Sequence, residues 1–178
     1  MTRTLRTVLV ENLRYGKADD HGRKGILFVC LGNICRSPLA EGVFQHLVEQ
    51  RGLQDRYMVS SAGTRNWNVG DPPDYRMVAT ARRHGIKLMG RAQQIRMQDF
   101  DSFDLLLAMD RTNREDLQCM AQNEPRLVHV RLLRDFDPLS GSSADIPDPY
   151  FGDAAGFESV YQIVERACVG LLSALEGE

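Results

Sequence analysis

Cys30 and Arg36 enclose a short segment that reads CLGNICR. A thiol that faces backbone N–H groups and a guanidinium ionises readily, and the thiolate is a strong nucleophile. The guanidinium of Arg36 matches two oxygens of a phosphate group. Gly32 permits a close turn and Asn33 tolerates a left-handed backbone, so the segment can aim its N–H groups at one point. The spacing therefore predicts a loop that holds an oxyanion above a sulfur nucleophile.

The elements on either side of this loop are those that build an anion site. Residues 26–29 form a continuous apolar run, typical of a strand buried on both faces. After the loop, apolar residues recur at helical spacing over residues 39–48, with Ser37 as the predicted cap and Pro38 in the first turn. The N-terminus of such a helix offers free N–H groups and a positive dipole to an anion.

Strand and helix patterns go on alternating along the chain. Further strands are predicted over residues 57–60, 105–108 and 127–130, and helices over residues 73–84, 112–120 and 157–175. Thr112 is the predicted cap of the third helix, with Glu115 at capping-box spacing, and residues 134–156 are predicted to form a long loop. These patterns predict a single α/β domain with a four-stranded, mostly parallel, twisted sheet flanked by helices on both faces.

Length and composition set the remaining bounds. The 178 residues carry 22 basic and 24 acidic side chains, which argues against a nucleic-acid-binding protein. We expect no membrane span, because no apolar run approaches the roughly 20 residues that a bilayer requires. With no signal-peptide pattern, the expected location is the cytoplasm and the four cysteines are expected to be free thiols. No histidine shows metal-ligand spacing, so we expect no metal site.

Two motifs give the chain a family resemblance. The segment CLGNICRSP, which begins at Cys30, resembles the signature of the low-molecular-weight protein tyrosine phosphatases. Asp148, in the sequence Asp-Pro-Tyr, resembles the general acid of that family. The segments SAGT, PPDYR, RHGI and AMD also resemble family segments and follow in family order. The resemblance covers residues 24–178, predicted to be the phosphatase domain, and leaves residues 1–23 as an N-terminal extension.

The resemblance implies that phosphotyrosine and small aryl phosphates are hydrolysed through a phosphocysteine, without a metal or cofactor. Cys30 would be the nucleophile, Arg36 would hold the phosphate, and Asp148 would act first as general acid and then as general base. The residues implied to surround the phosphate are Leu31, Gly32, Asn33, Ile34, Cys35, Arg36 and Ser37.

Further roles are implied for side chains around this loop. Asn33 would hold the loop in shape, with Ser61 and His84 as its hydrogen-bond partners. Ser37 would place its hydroxyl on the thiolate. The apolar walls of the substrate pocket would come from Leu31, Ile34, Trp67 and Tyr150. A flat phenyl ring fits between walls of this kind.

The remaining cysteines have separate predicted roles. Under the family resemblance, Cys35 would trap oxidised Cys30 as a reversible disulfide. Cys168 lies on the apolar stripe of the last helix and is predicted to be a core residue, whereas Cys119 has no evident role. The family often carries tandem tyrosines after Asp-Pro, but the second position here is Phe151.

Three alternatives stay open. Protein-arginine phosphatases resemble this signature but carry threonine where this chain has Ile34. Arsenate reductases of the same fold need a closely spaced cysteine pair beyond the loop, and Cys119 and Cys168 are far apart. A non-catalytic phosphate-binding module would need neither nucleophile nor acid. The expected partners are phosphotyrosine proteins, with a tyrosine kinase as a candidate, and the expected assembly is a monomer or weak dimer.

Overall fold

The computed structural model describes residues 22–121, 130–141 and 145–178. The strands are β1 (Lys24–Cys30), β2 (Tyr57–Gly63), β3 (Leu105–Ala108) and β4 (Val130–Leu132). The α-helices among the described residues are α1 (Arg36–Gln50), α2 (Tyr75–Arg83), α3 (Asp99–Ser102), α4 (Arg111–Ala121) and α5 (Ala154–Glu176). Two 3-10 helices cover Gln54–Arg56 and Leu133–Phe136. The predictions for residues 1–21 and for residues 127–129 of the fourth strand lie outside the described residues.

The four strands form one parallel sheet in the order β2-β1-β3-β4. The last residue of β1, Cys30, lies opposite Gly63 on β2, while Val29 lies opposite Ala108 on β3. After β1, the chain crosses to β2 on one side of β1, and it later crosses back to β3 on the other side. Such a reversal opens a crevice at the carboxyl ends of the two central strands, where α/β proteins bind ligands. The predicted nucleophile therefore stands at the switch point of the sheet.

The apolar run in β1 serves two cores, because successive side chains of a strand point to opposite faces. Ile26 and Phe28 belong to the core beneath α1 and α5, whereas Leu27 and Val29 belong to the core beneath α3 and α4. On the first face, the ring of Phe44 lies 5.8 Å from that of Phe28. Helices therefore cover both faces of the sheet, as the sequence pattern predicts.

The helix starts differ from the predictions. Helix α1 begins at Arg36 with Cys35 as the residue before it, and Ser37 does not cap it. Helix α4 is capped by Asp110, whose Oδ1 accepts from the N–H of Asn113 at 2.7 Å, so the predicted Thr112 cap is wrong. Both helices therefore begin one residue before the side chain that was predicted to cap them.

The segment predicted as one long loop over residues 134–156 is shorter in the structure. A 3-10 helix extends into its first residues, and α5 begins at Ala154. The Asp153 side chain caps α5 by accepting from the N–H of Gly156 at 2.9 Å. Within the described residues, none of the helices is both long and apolar enough to cross a membrane.

Candidate active site

The loop between β1 and α1 is held in a single curled shape. Asn33 has a φ of 56°, in the left-handed region that few residues other than glycine adopt readily. The end of β2 supports the loop from below, where the N–H of Thr64 donates to the carbonyl of Cys30 at 2.8 Å. A Cβ on Gly63 would stand 2.8 Å from the carbonyl oxygen of Leu31, so only glycine allows this close approach.

Four hydrogen bonds of Asn33 connect the loop to its surroundings. Its side-chain Nδ2 donates to Ser37 Oγ and to Ser61 Oγ, each at 2.9 Å. Its Oδ1 accepts from the backbone N–H of Gln93 at 2.9 Å. Its own backbone N–H donates to Cys30 Sγ at 3.3 Å. The structure thus brings Asn33, Ser37 and Ser61 together, as the family resemblance implies.

The sulfur of Cys30 lies at the base of the loop, with only 3% of the residue exposed. Ser37 Oγ stands 3.0 Å from it, and Ser37 is itself fully buried. A thiolate here can accept from the Ser37 hydroxyl and from the Asn33 N–H. The sulfur also faces the positive end of the α1 dipole.

Arg36 bridges the loop and the opposite wall of the crevice. Its Nη1 donates to Asp110 Oδ2 at 2.6 Å and to the carbonyl of Ile146 at 3.1 Å, while its Nη2 donates to Asp148 Oδ2 at 2.8 Å. Burial opposes the charge of the guanidinium, but Cys30 and the two carboxylates outweigh this and raise the pKa of Arg36. Arg36 therefore stays a cation that is fixed beside the sulfur.

Asp148 lies on the far side of the crevice, with 42% of its side chain exposed. Its Oδ1 accepts from the N–H of Tyr150 at 3.1 Å. The segment before it is tied to the end of β3, where the N–H of Ile146 donates to the carbonyl of Met109 at 2.8 Å. Asp148 can therefore reach a group bound above Cys30 and exchange protons with water.

A cavity of about 310 Å³ opens above the sulfur. It brings together every residue predicted for the pocket and the catalytic centre. Its lining residues are Cys30, Leu31, Gly32, Ile34, Cys35, Arg36, Trp67, Asn68, Asp148, Tyr150 and Phe151. Trp67 is 70% exposed and Phe151 98% exposed, so both stand at the rim. The cavity can hold a flat ring between apolar walls with its phosphate on the loop.

The other three described thiols occupy different environments. Cys35 is buried beside the loop, and burial, with a contribution from nearby Asp74, raises the pKa of its thiol. Cys168 is fully buried in the core on α5, as predicted, and burial raises the pKa of its thiol too. Cys119 is exposed on α4.

The predicted place of His84 in the Asn33 network is wrong. His84 follows α2, its Nε2 lies 2.7 Å from Glu158 Oε1, and its ring stacks on Tyr161 with centroids 3.7 Å apart. It therefore joins α2 to α5, away from the loop. The backbone N–H of Gln93 takes the place that was predicted for it.

Sequence reasoning also missed side chains that the structure places at the site. Asp110 accepts from Arg36, and Glu41 Oε2 accepts from Ser61 Oγ at 2.6 Å. Asp110 could have been found from its place directly after a buried strand, at the edge where ligands bind. Glu41 carried no such signal, because a glutamate in a helix is normally solvated. Among the described residues, no group of three or more His, Cys, Asp or Glu side chains could hold a metal ion.

Comparison with known proteins agrees with this geometry. Residues 25–178 match the family described as low molecular weight phosphotyrosine protein phosphatase. The human protein of that name is 42% identical over 154 residues, which are 86% of this chain and 96% of the human one. The Streptomyces coelicolor low molecular weight protein-tyrosine-phosphatase is 42% identical over 151 residues, 84% of this chain and 92% of that protein.

Solved structures share the fold as well. A protein tyrosine phosphatase from Entamoeba histolytica superposes with a TM-score of 0.83 at 34% identity, covering 86% of this chain and 97% of that one. A Drosophila arginine phosphatase superposes with a TM-score of 0.77 at 38% identity, covering 83% of this chain and 95% of that one. The fold, the curled loop and the extent of the match lead to one conclusion: this chain belongs to the low molecular weight phosphotyrosine protein phosphatase family.

Proposed function

We propose that the protein is a phosphotyrosine phosphatase that works through a phosphocysteine on Cys30. The observation that carries this proposal is the convergence of Cys30, Arg36 and Asp148 on one cavity of about 310 Å³. A nucleophile, a fixed cation and a partly exposed acid on three sides of one space are the groups that phosphate-ester hydrolysis needs.

In the first step, the Cys30 thiolate attacks phosphorus in line. The S–P bond forms while the bond between phosphorus and the phenolic oxygen breaks. Asp148, protonated, gives its proton to the leaving phenolate. Arg36 and the N–H groups of the loop bind the equatorial oxygens, whose charge they stabilise in the transition state.

In the second step, water attacks the phosphocysteine. Asp148, now ionised, takes a proton from the water, and the S–P bond breaks to release inorganic phosphate. The Ser37 hydroxyl, 3.0 Å from the sulfur, donates to the thiolate as it leaves. The positive charge of Arg36 and the dipole of α1 stabilise the negative charge on the phosphate oxygens in both steps. We therefore propose that no metal is required.

The pocket favours a phenyl ring over a guanidinium. Leu31 and Ile34 line the cavity from the loop, and Trp67 and Tyr150 line it as well. These side chains offer apolar surface and aromatic faces but few hydrogen-bond acceptors for a phosphoguanidinium. We therefore propose phosphotyrosine, and a phosphoarginine peptide assayed beside a matched phosphotyrosine peptide separates the two substrates.

The test of the catalytic roles is hydrolysis of para-nitrophenyl phosphate in the presence of EDTA. We expect turnover by the wild type, none by Cys30→Ser, and wild-type turnover by Cys119→Ser, the matched exposed cysteine. Asp148→Asn should slow kcat/KM for a phenyl ester with a poor leaving group far more than for the activated nitrophenyl ester. Wild-type protein without turnover, or equal losses of Asp148→Asn on both esters, would contradict these roles.

We propose that Cys35 protects Cys30 during oxidation. A peroxide oxidises the Cys30 thiolate to a sulfenic acid, the Cys35 thiol displaces water from it, and a disulfide forms that two equivalents of an added thiol reduce. After prolonged treatment with excess peroxide, dithiothreitol should restore the wild type. In Cys35→Ser a further peroxide oxidises the unprotected sulfenic acid to a sulfinic acid, which dithiothreitol does not reduce, so the variant should stay inactive. Equal recovery of both proteins would refute the protective role.

Three further properties follow the family resemblance as proposals. The phosphatase domain comprises residues 24–178, and residues 1–23 are an extension outside it. Its substrates are proteins that carry phosphotyrosine, with a tyrosine kinase as a candidate, and its location is the cytoplasm. Capture of phosphoproteins by Cys30→Ser, with release by free vanadate, identifies the substrates.

A further inference from the structure

A chain of hydrogen bonds leads away from the nucleophile to a carboxylate on α1. It runs from Cys30 through Ser37, Asn33 and Ser61 to Glu41 Oε2. The bond from Ser61 Oγ to Glu41 measures 2.6 Å. Glu41 has no catalytic role in the mechanism above, because it does not line the cavity over the sulfur.

The direction of each bond between Ser37 and Glu41 in this chain is fixed. The Gln93 N–H can only donate, so the atom of Asn33 that it meets must be the carbonyl oxygen Oδ1. The other atom, Nδ2, can only donate, and it does so to both serine hydroxyls. The Ser61 oxygen therefore accepts from Asn33, and its single proton must go to an acceptor elsewhere. Glu41 is that acceptor.

The same logic leaves the proton of Ser37 with two acceptors. Its oxygen accepts from Asn33, so its hydroxyl is free to donate to Cys30 Sγ at 3.0 Å or to the carbonyl of Ala62 at 3.3 Å. Donation to the sulfur stabilises a thiolate. An Asn33 amide turned the other way would present Oδ1 to both serines, and Ser37 would then donate to Asn33 instead of to the sulfur.

We propose that Glu41 is a positioning residue for the nucleophile: by accepting the proton of Ser61, it acts with the Gln93 N–H to keep the Asn33 amide in the orientation that leaves the Ser37 hydroxyl to the sulfur. This inference rests on the proposed role of Cys30. Burial raises the pKa of Glu41, while the hydrogen bond from Ser61 opposes that shift. Partial burial of a carboxylate costs free energy, because the charge loses part of its hydration. The hydrogen bond from Ser61 offsets part of this cost.

Removal of the acceptor leaves the Ser61 proton without a partner. In Glu41→Met, which keeps the length of the side chain and suits a helix, that proton competes with the Gln93 N–H for the amide oxygen of Asn33 and so populates the turned amide. The loop would then lose the hydrogen bond to the thiolate. In Glu41→Gln the amide oxygen can still accept from Ser61, but without the charge, so a smaller effect is expected.

The readout is alkylation of Cys30 by iodoacetamide, followed on its own peptide by mass spectrometry. The ratio of the rates at about pH 6 and about pH 10 reports the ionised fraction, whereas altered access to the sulfur changes both rates alike. We expect this ratio to fall by about tenfold in Glu41→Met and by about two- to threefold in Glu41→Gln. Gln45→Met, on the same helix and also half-buried, is the matched control and should keep the wild-type ratio.

A double variant separates positioning from simple structural support. With Ser61→Ala added to Glu41→Met, no stranded proton remains, so the ratio should recover part of the way to the wild-type value. A wild-type ratio in both Glu41 variants would overturn the proposal, as would a double variant no better than Glu41→Met. Because alkylation requires no turnover, a protein that fails to hydrolyse phosphotyrosine can still pass this test. Failure of the proposed role of Glu41 can therefore be distinguished from failure of the proposed phosphatase activity.

Discussion

Asn33 is the residue on which the shape of the loop between β1 and α1 depends, and its replacement by glycine tests this dependence. Glycine adopts the observed φ of 56° without strain, so the backbone keeps its preferred geometry and only the side chain is lost. The change removes three side-chain hydrogen bonds, to Ser37, Ser61 and Gln93. Each of these contributes about 1 kcal/mol to stability.

The free energy of unfolding should therefore fall by about 3 kcal/mol, with up to about 1 kcal/mol more from the added freedom of glycine in the unfolded chain. For a protein of this size, each kcal/mol corresponds to roughly 2–4 °C in Tm, so the expected decrease is about 6–12 °C or slightly more. Asn33→Ala loses the same bonds and also holds a left-handed backbone, at a cost of about 1–2 kcal/mol. The alanine variant should accordingly be the less stable of the two.

Urea denaturation and thermal unfolding of the wild type and both variants measure these differences. Steady-state hydrolysis of para-nitrophenyl phosphate measures the effect of the altered loop on catalysis. We expect kcat/KM to fall at least tenfold in both variants. A loss of stability under about 1 kcal/mol for Asn33→Gly would refute the reasoning. A glycine variant less stable than the alanine variant would refute the part that concerns the left-handed backbone.

Three other predictions concern the rim of the cavity, the packing of α5 and the carboxylate that caps α2. Arg76→Met removes a guanidinium that lies 5.4 Å from the ring centroid of Tyr150, and KM for a phosphotyrosine peptide should rise by about two- to tenfold in steady-state assays. Gly170→Ala places a Cβ against the carbonyl of Phe136, so urea denaturation should show a loss of at least about 2–3 kcal/mol. Hydrogen bonds from Arg76 lower the pKa of Asp74. The stability that Asp74 contributes is thus complete above its unfolded pKa of about 3.9 and is lost as pH falls through the lower folded value. Urea denaturation from about pH 6 to about pH 2.5 should show this loss in the wild type but not in Asp74→Asn.

The sequence pattern predicted the central strand and the loop because both are local in the chain. A strand buried on two faces must be apolar throughout, as residues 26–29 are, and a loop that binds anions must precede a helix start. Helix α3 (Asp99–Ser102) escaped prediction because four residues are too few to show a helical period. The starts of α1 and α4 were misplaced because Ser37 and Thr112 have the chemistry of helix caps but are not used as such.

The candidate site was less predictable where it depends on contacts between distant segments. His84 was assigned to the Asn33 network from the family resemblance, yet the structure places its ring against Glu158 and Tyr161. Glu41 is adjacent to the site only because α1 packs against β2, and no local pattern reports that contact. The residues proposed to hold the phosphate could thus be predicted from one loop, whereas the residues that support this loop could be identified only from the fold.

Formation of a phosphocysteine on Cys30 is the central claim, and a rapid-quench experiment tests it directly. The protein is mixed with a peptide whose phosphotyrosine carries radiolabelled phosphate, denatured within one turnover and digested. We predict that the label lies on the peptide containing Cys30 in the wild type and is absent from Cys30→Ser. Hydrolysis by the wild type with no labelled protein, or with label on another residue, would contradict the mechanism.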